Sequence, residues 1–142
     1  MPRVSRPAAP ASREEHERLL AIQERILELL DLPYRVVDIP TGDLGPPAAR
    51  KFDCEAWIPS EERYREVTSC SNTTDYQARR LDCRYRPEPE AQPLPVHTLN
   101  GTALAVGRTL IALIENGQQA DGSVVLPAAL VDAGLPQAIG GR

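Results

Sequence analysis

The sequence predicts an α+β domain in which helices lie against an antiparallel sheet. Hydrophobic residues recur with a helical period at both ends of the chain and with a period of two between them. The predicted order is helix, strand, hairpin, strand, helix. Hairpins and long loops favour antiparallel pairing, because parallel strands need helical crossovers. At 142 residues, the chain is long enough for one domain with a modest core.

The first predicted helix begins at Ser12. This serine has the position of an N-cap, and Glu15 three residues later completes a capping box. Pro33 ends the helix, because proline disfavours helical geometry in the residue before it. Residues 1–11 are expected to be a disordered lead. The residues expected to face the core are Leu19, Ile22, Ile26, Leu29 and Leu30.

Two strands joined by a short polar connection form the predicted hairpin. Residues 52–58 alternate between apolar and polar side chains, residues 59–63 are polar, and residues 64–70 are extended again. A short β-branched run at residues 34–39 predicts a further strand before them. Two glycines and two prolines make residues 41–47 a loop.

The second half begins with a short helix at residues 77–81, which Asp75 can cap. Four prolines predict an irregular surface loop over residues 87–95. The next predicted strand covers residues 96–106.

A second long helix is predicted at residues 109–119. Gly117 weakens its end by about 1 kcal/mol relative to alanine. Residues 132–142 are expected to be a loose tail, so the predicted domain covers residues 12–131. The side chains expected to point inward are Leu110, Leu113 and Ile114.

The composition limits the partners. A net charge of -4 gives no global attraction to nucleic acid, so such a partner would need a local basic patch. No apolar run approaches the roughly 20 residues of a membrane span, and the N-terminus lacks the apolar centre of a secretory signal. Three cysteines without close pairing suit reduced thiols in the cytoplasm. Four arginines predict a solvated helix face, with RNA or phosphate contact as the alternative: Arg79, Arg80, Arg84 and Arg86.

A dense group of polar residues lies on and just beyond the second hairpin strand. One interpretation is the solvent-facing side of an antiparallel sheet. The other is a magnesium and phosphate site, because magnesium prefers oxygen ligands such as Glu66 and nearby hydroxyls. Glu66 and Ser69 point to opposite faces of a regular strand, so a shared metal requires the strand to end or bulge near Thr68. The group contains Arg65, Glu66, Thr68, Ser69, Ser71 and Asn72.

Residues 96–119 combine small polar side chains with one cation. Asn100, Thr102 and Arg108 share one face if the strand stays regular, and two glycines leave room for a ligand. An arginine beside the N–H groups of a helix start favours phosphate. The alternative is an edge strand whose arginine forms a surface ion pair.

Other chemistries have weaker support. No P-loop or dinucleotide-binding glycine motif is present. His97 and Cys70 lack local catalytic partners, and Asp53 with Glu55 fits a solvated strand face. A zinc site also lacks the usual cysteine spacing. Its candidate ligands would be Cys54, Cys70, Cys83 and His97.

Four segments together resemble bacterial seryl-tRNA synthetase, a class II aminoacyl-tRNA synthetase. They are residues 32–45, 49–60, 64–81 and 96–122, and they follow the family's order with compatible spacing. The resemblance covers roughly residues 12–130. It implies an antiparallel catalytic sheet flanked by helices. It also implies a cytoplasmic, homodimeric enzyme that uses ATP and Mg²⁺ to form seryl-adenylate and then transfers serine to tRNA(Ser).

The resemblance also assigns site residues. Arg108 resembles the motif 3 arginine that stabilises the triphosphate, and it is expected to be catalytic together with Glu66. Asn100 and Thr102 resemble the serine-side contacts, and Glu66 with Ser69 resembles the metal-binding pair. The ATP-contacting stretch is expected to be Glu66, Val67, Thr68 and Ser69.

Departures from the family lower the expected activity. The tRNA-binding coiled-coil arm, motif 1 of the dimer interface and motif 2, with its second ATP arginine, have no counterpart in this sequence. We therefore expect the C-terminal part of a catalytic domain, poorly active alone and prone to aggregation or pairing with a partner. The alternative is a degenerate synthetase paralogue that binds a nucleotide or a protein.

Overall fold

The computed structural model of the chain describes residues 9–141. A four-stranded sheet has the order β1-β2-β3-β6, and β4-β5 and β7-β8 form two small ribbons. This antiparallel sheet with flanking helices confirms the predicted α+β class. The helices are α1 (Ala9–Leu29), α2 (Tyr76–Leu81), α3 (Val106–Gly117) and α4 (Ala128–Asp132). The strands are β1 (Tyr34–Asp38), β2 (Arg50–Ile58), β3 (Arg63–Thr74), β4 (Arg84–Tyr85), β5 (Leu94–Pro95), β6 (Thr98–Gly101), β7 (Val124–Val125) and β8 (Ala138–Ile139).

The chain divides into two compact units. Helix α1 and strands β1, β2 and β3 contribute residues to both of them. The domain boundaries predicted at residues 12 and 131 stay predictions. Unit 1 consists of Met1–Ala21, Asp38–Phe52 and Ser69–Thr102. Unit 2 consists of Ile22–Val37, Asp53–Thr68 and Ala103–Arg142.

In unit 1, helix α1 begins at Ala9, so the prediction of Ser12 as the N-cap is wrong. Ser12 is buried, its Oγ lies 2.8 Å from His97 Nδ1, and its carbonyl accepts a hydrogen bond from Asn72 Nδ2. The serine hydroxyl therefore has a partner distant in sequence instead of a helix-end N–H. Of the predicted disordered lead, residues 1–8 lie outside the described residues, and the last three residues lie in α1.

The buried face of α1 contains more polar residues than predicted. His16 is 1% exposed, donates from Nε2 to the Cys70 carbonyl at 3.1 Å, and has its ring 5.0 Å from the Phe52 ring. Two predicted core residues, Ile22 and Leu29, are instead exposed. Counting apolar residues predicted the wrong buried face of the helix, because it gave no weight to hydrogen-bonded polar residues that pack inside. In the part of α1 for which burial is described, residues 11–29, the buried residues are Ser12, His16, Gln23 and Leu27.

Strand β3 does not end near Thr68, as the shared-metal hypothesis required, but continues to Thr74. Its register against β6 shifts further along, between Asn72 and Thr74. Thr74 has a positive φ of 47°, and the Thr73 hydroxyl donates to the Thr98 carbonyl at 3.0 Å. A shift of this kind bends a strand and redirects its side chains.

Asn72 stabilises this shifted register. Its Nδ2 donates to the Ser12 carbonyl at 3.1 Å, and its Oδ1 accepts the Thr74 N–H at 2.9 Å. Asn72→Ala removes one buried and one part-buried hydrogen bond, so we expect it to lower the free energy of unfolding by about 2 kcal/mol. Urea denaturation measures this change. Asn100→Ala on the paired strand is the control: because Asn100 is exposed, its effect should stay within about 0.5 kcal/mol, and equal losses would contradict the assigned role of Asn72.

Two predicted irregular segments contain short ribbons. The proline-rich loop is closed by β4 and β5, in which Arg84 pairs with Pro95, so Pro95 lies in a strand. Proline is compatible with such an edge, where its missing N–H breaks no inner hydrogen bond. The predicted loose tail from Asp132 contains β8, which pairs with β7 through Val124 and Ile139.

In unit 2, helix α3 begins at Val106, three residues before the predicted start. Its buried residues are Thr109 and Ala112, whereas Leu110 and Ile114 are 53% and 39% exposed. The predicted inward face is therefore wrong for these two apolar residues. Small side chains on the buried side let a helix approach its neighbours closely, a feature that apolar spacing does not show. Within residues 9–141, no helix is long and apolar enough to cross a membrane.

Candidate functional site

Unit 2 contains a cavity of about 470 Å³ between the β2–β3 turn and α3. Two isoleucines, Ile58 and Ile111, and the Tyr64 ring form its apolar wall. Three carboxylates and two guanidinium groups also line it, so it can receive a ligand that carries charge. The charged residues are Glu55, Glu61, Arg65, Glu66 and Arg108.

Arg108 and Glu66, two of the predicted site residues, contact each other in this cavity. Arg108 Nη1 donates to the Glu66 carbonyl at 2.7 Å and lies 3.8 Å from its carboxylate. The condition for Asn100, Thr102 and Arg108 to share one face, a strand that stays regular, is not met, because β6 ends at Gly101 and α3 begins at Val106. Arg108 instead lies in the first helical turn, where backbone N–H groups also favour an anion.

The turn between β2 and β3 carries a second charged cluster. Glu61 accepts hydrogen bonds from Arg63 at 2.6–2.7 Å and from Arg65 at 2.8 Å. These bonds, that of Arg63 first, lower the pKa of Glu61 below its ordinary value of 4.5. Arg65 is thereby held at the cavity wall.

The Glu61 cluster predicts a pH effect. A carboxyl whose folded pKa is lowered contributes stability above its unfolded pKa, and this contribution is lost as pH falls through the folded value. We expect the Glu61 carboxyl carbon, followed by NMR, to titrate with a midpoint below 4.5. In Arg63→Gln the midpoint should rise toward the unfolded value. A midpoint that is the same in both proteins would show that the Arg63 contact is absent in solution.

Two residues outside the lining, Arg35 and Trp57, contact Glu55 and Tyr64 of the lining, and sequence reasoning missed them. Arg35 Nε donates to Glu55 at 2.6 Å, and its guanidinium lies 4.7 Å from the Tyr64 ring centre. Tyr64 in turn packs edge-on against Trp57 at 5.2 Å. The prediction of a solvated face is wrong for Asp53, which is buried, whereas Glu55 is part-exposed and pairs with Arg35. Strand alternation placed Glu55 on a face but gave no information about Arg35.

The middle of the predicted ATP-contacting stretch lies in the core. Val67 and Thr68 are 1% and 2% exposed. The Val67 carbonyl accepts the Ala105 N–H at 2.9 Å, which ties the segment before α3 to β3. A ligand in the cavity would therefore meet this stretch mainly through Glu66.

In unit 1, the remaining predicted residues lie at the end of β6. Asn100 pairs with Ser71 across the sheet and is exposed. The Thr102 N–H donates to the Ser69 carbonyl at 3.0 Å, and the Thr102 side chain is exposed. Unit 1 thus brings Ser69 and Thr102 together at their backbones.

The alternative chemistries find no supporting geometry. His97 Nδ1 pairs with the buried Ser12 hydroxyl in a unit 1 cavity of about 440 Å³. Among the described residues, no three His, Cys, Asp or Glu side chains could hold a metal together, so zinc has no support. Each arginine of the basic cluster has an intramolecular partner, as a solvated surface predicts. The pairs are Arg79 with Asp75, Arg80 with Tyr76, Arg84 with Asp82, and Arg86 with the Ala91 carbonyl.

Comparisons with known proteins show the family and the fold. Residues 6–117 match the model of the tRNA synthetase class II core domain (G, H, P, S and T). The serine–tRNA ligase of Rubrobacter xylanophilus is 64% identical over 120 residues, which are 84% of this chain and 28% of that protein. That of Bacillus pumilus is 57% identical over 119 residues. The chain thus spans about 28% of the length of these curated relatives.

Solved structures show the same fold. Seryl-tRNA synthetase from Pyrococcus horikoshii complexed with ATP superposes with a TM-score of 0.88 at 46% identity, over 92% of this chain and 29% of that one. The cytoplasmic serine–tRNA ligase of Naegleria fowleri in complex with AMP gives 0.81 at 38% identity, over 92% of this chain and 31% of that one. The match over residues 6–117 and these similarities show that the chain belongs to the class II tRNA synthetase core-domain family.

Proposed function

We propose that this chain provides part of the catalytic site of a serine–tRNA ligase, which activates serine with ATP and transfers it to tRNA(Ser). The observation that carries the proposal is Arg108, held against Glu66 at the start of α3 in a cavity of about 470 Å³. The curated relatives are named serine–tRNA ligase, and one related structure is described as complexed with ATP. We propose a cytoplasmic location for such an enzyme.

The cavity suits the triphosphate of ATP. In adenylate formation, a serine carboxylate oxygen attacks the α-phosphorus, a new P–O bond forms, and pyrophosphate leaves with the electrons of the broken bond. The protein then contributes mainly position and charge. The Arg108 guanidinium can donate two parallel hydrogen bonds to phosphate oxygens, and α3 adds its N-terminal N–H groups.

A magnesium ion fits this site as a companion of the nucleotide. Protein sites for Mg²⁺ commonly use one or two carboxylates, while water and phosphate supply the other oxygens. Glu66 is such a carboxylate at the cavity wall, and no cluster of three acidic, histidine or cysteine ligands occurs in the described part of the chain. When bound, the ion would neutralise phosphate charge. The participation of Ser69 rests on the family resemblance.

As serine contacts we propose Asn100 and Thr102 of unit 1, on the basis of the family resemblance. Both are exposed at the end of β6, and both carry small hydrogen-bonding groups. A pocket that hydrogen-bonds the substrate hydroxyl rejects analogues that lack it, because its own polar groups would stay unpaired. We also propose that the enzyme is a homodimer and that it recognises tRNA(Ser).

MgATP titration of the ¹⁵N-labelled chain, followed by NMR, tests the nucleotide site. We expect shift changes at residues 66–68 and at Arg108, and smaller changes with the same concentration of inorganic sulfate. Changes confined to other residues, or none at millimolar MgATP, would refute the site. This experiment needs no turnover.

Serine-dependent ATP–pyrophosphate exchange tests the activity. A polypeptide of 142 residues spans about 28% of a relative, so we expect far slower exchange than a full-length relative shows. Exchange at the full-length rate would contradict this expectation. Nucleotide binding with no exchange, even when a full-length relative is active in parallel, would favour a degenerate paralogue that only binds its ligand.

A further inference from the structure

Within unit 2, the C-terminal half of α3 is hydrogen-bonded to the β2–β3 turn, which carries the charged cluster around Glu61. Glu115 Oε2 accepts the Ser60 N–H at 2.9 Å, and Oε1 accepts the Ser60 hydroxyl at 2.8 Å. Both carboxylate oxygens are therefore bound by one residue of the turn. The next residue, Asn116, donates from Nδ2 to the Trp57 carbonyl at 2.9 Å and to the Ala112 carbonyl at 2.8 Å.

Glu115 lies on the same helix face as Arg108, the residue proposed to bind phosphate. Arg108, Ile111 and Glu115 are spaced i, i+3, i+7, so they form one stripe along α3. Arg108 and Ile111 line the cavity, and Glu115 follows about 10 Å from Arg108 along the helix axis. The stripe has a contact at each end: Arg108 with the Glu66 carbonyl, and Glu115 with Ser60.

The turn carries charge into the same cavity. Ser60 is followed by Glu61, which holds Arg65 at the cavity wall with a 2.8 Å hydrogen bond. Glu115 therefore joins the element that carries Arg108 to the element that carries Arg65. A displacement of about 1 Å between such groups is enough to impair catalysis strongly.

We propose that Glu115 is a positioning residue, which sets Arg108 over the nucleotide cavity by fastening α3 to Ser60 in the β2–β3 turn. The effect of this positioning on catalysis rests on the proposed function. The contact that links α3 to the turn does not depend on it. A surface ion pair would contribute little. Glu115 instead accepts two hydrogen bonds from one short turn, one of them from the backbone, and a charged acceptor strengthens both.

NMR of the Arg108 guanidinium tests the proposal on the full chain. In the wild type, the hydrogen bond to the Glu66 carbonyl should slow rotation of the guanidinium group. Glu115→Ala should speed this rotation by about three- to tenfold, the equivalent of one hydrogen bond. Glu115→Gln, which keeps one acceptor oxygen, and Ser60→Ala, which keeps the backbone N–H, should give intermediate values.

Tyr34→Phe is the matched control. It removes another side-chain hydrogen bond to a glutamate of unit 2, that of Tyr34 with Glu24, and it should leave the Arg108 rotation unchanged. If Glu115→Ala folds and leaves Arg108 unchanged, or if Tyr34→Phe changes Arg108 equally, the proposal is overturned. Amide hydrogen exchange along α3 shows whether the helix stays folded.

MgATP affinity measures the effect of Glu115 on nucleotide binding. Glu115→Ala should weaken it by about three- to tenfold, with Glu115→Gln in between. A wild-type chain that does not bind MgATP would refute the proposed function, while the Arg108 rotation would still decide the positioning role. Unchanged affinity in a Glu115→Ala chain whose wild type binds would overturn the positioning role.

Discussion

Arg108→Lys is expected to weaken MgATP binding by at least about tenfold, the equivalent of one charge-assisted hydrogen bond. Lysine keeps the positive charge but loses the planar fork that can bond two phosphate oxygens together. It also cannot hold the Glu66 carbonyl with one nitrogen while offering the others to a ligand, as the 2.7 Å contact of Arg108 Nη1 allows. NMR titration with MgATP measures the change.

Arg63→Lys is the matched control for this substitution. Arg63 lies on the same strand as Glu66 and pairs with Glu61 next to the cavity, but it is not part of the lining. It should therefore leave MgATP affinity within about twofold, since exposed ion pairs contribute little. Equal losses in the two variants would show that binding depends on general charge and would remove the specific role of Arg108.

The sheet could be predicted because its signals are local. Period-two alternation and the short polar connection after Ile58 define the β2–β3 hairpin from adjacent residues. The start of α1 could not be predicted in the same way. Ser12 has the local chemistry of a cap, yet its side chain and carbonyl are bound by His97 and Asn72, which lie 85 and 60 residues away.

The candidate site shows the same division. Residue type and family resemblance identified Arg108 and Glu66, but their contact spans 42 residues of sequence and appears only in the fold. Glu115 and Ser60, 55 residues apart, were missed. A glutamate in a helix and a serine in a turn are common surface residues, and no spacing rule pairs them. Sequence therefore predicted two charged residues of the cavity lining, and the structure shows the contacts between distant residues around them.

Gly117→Ala should lower the free energy of unfolding by about 2 kcal/mol or more, as overpacking does. Helix propensity alone predicts the opposite sign, a gain of about 1 kcal/mol, because alanine is the better helix former. A Cβ on Gly117 would lie 2.4 Å from the Val125 carbonyl oxygen and 3.0 Å from Val124 Cγ1. Strand β7 would have to move, since the nearer of these atoms is backbone. Urea denaturation with circular dichroism measures the change.

Gly107→Ala separates the two effects within the same helix. Nothing lies within 4 Å of a Cβ at Gly107, so helix propensity should act alone and stabilise the chain by up to about 1 kcal/mol. The two substitutions should therefore change stability in opposite directions. If Gly117→Ala stabilises the chain as Gly107→Ala does, β7 does not pack against the end of α3 in solution. Opposite signs would show that close packing against β7, rather than chain flexibility, requires glycine at the end of this helix.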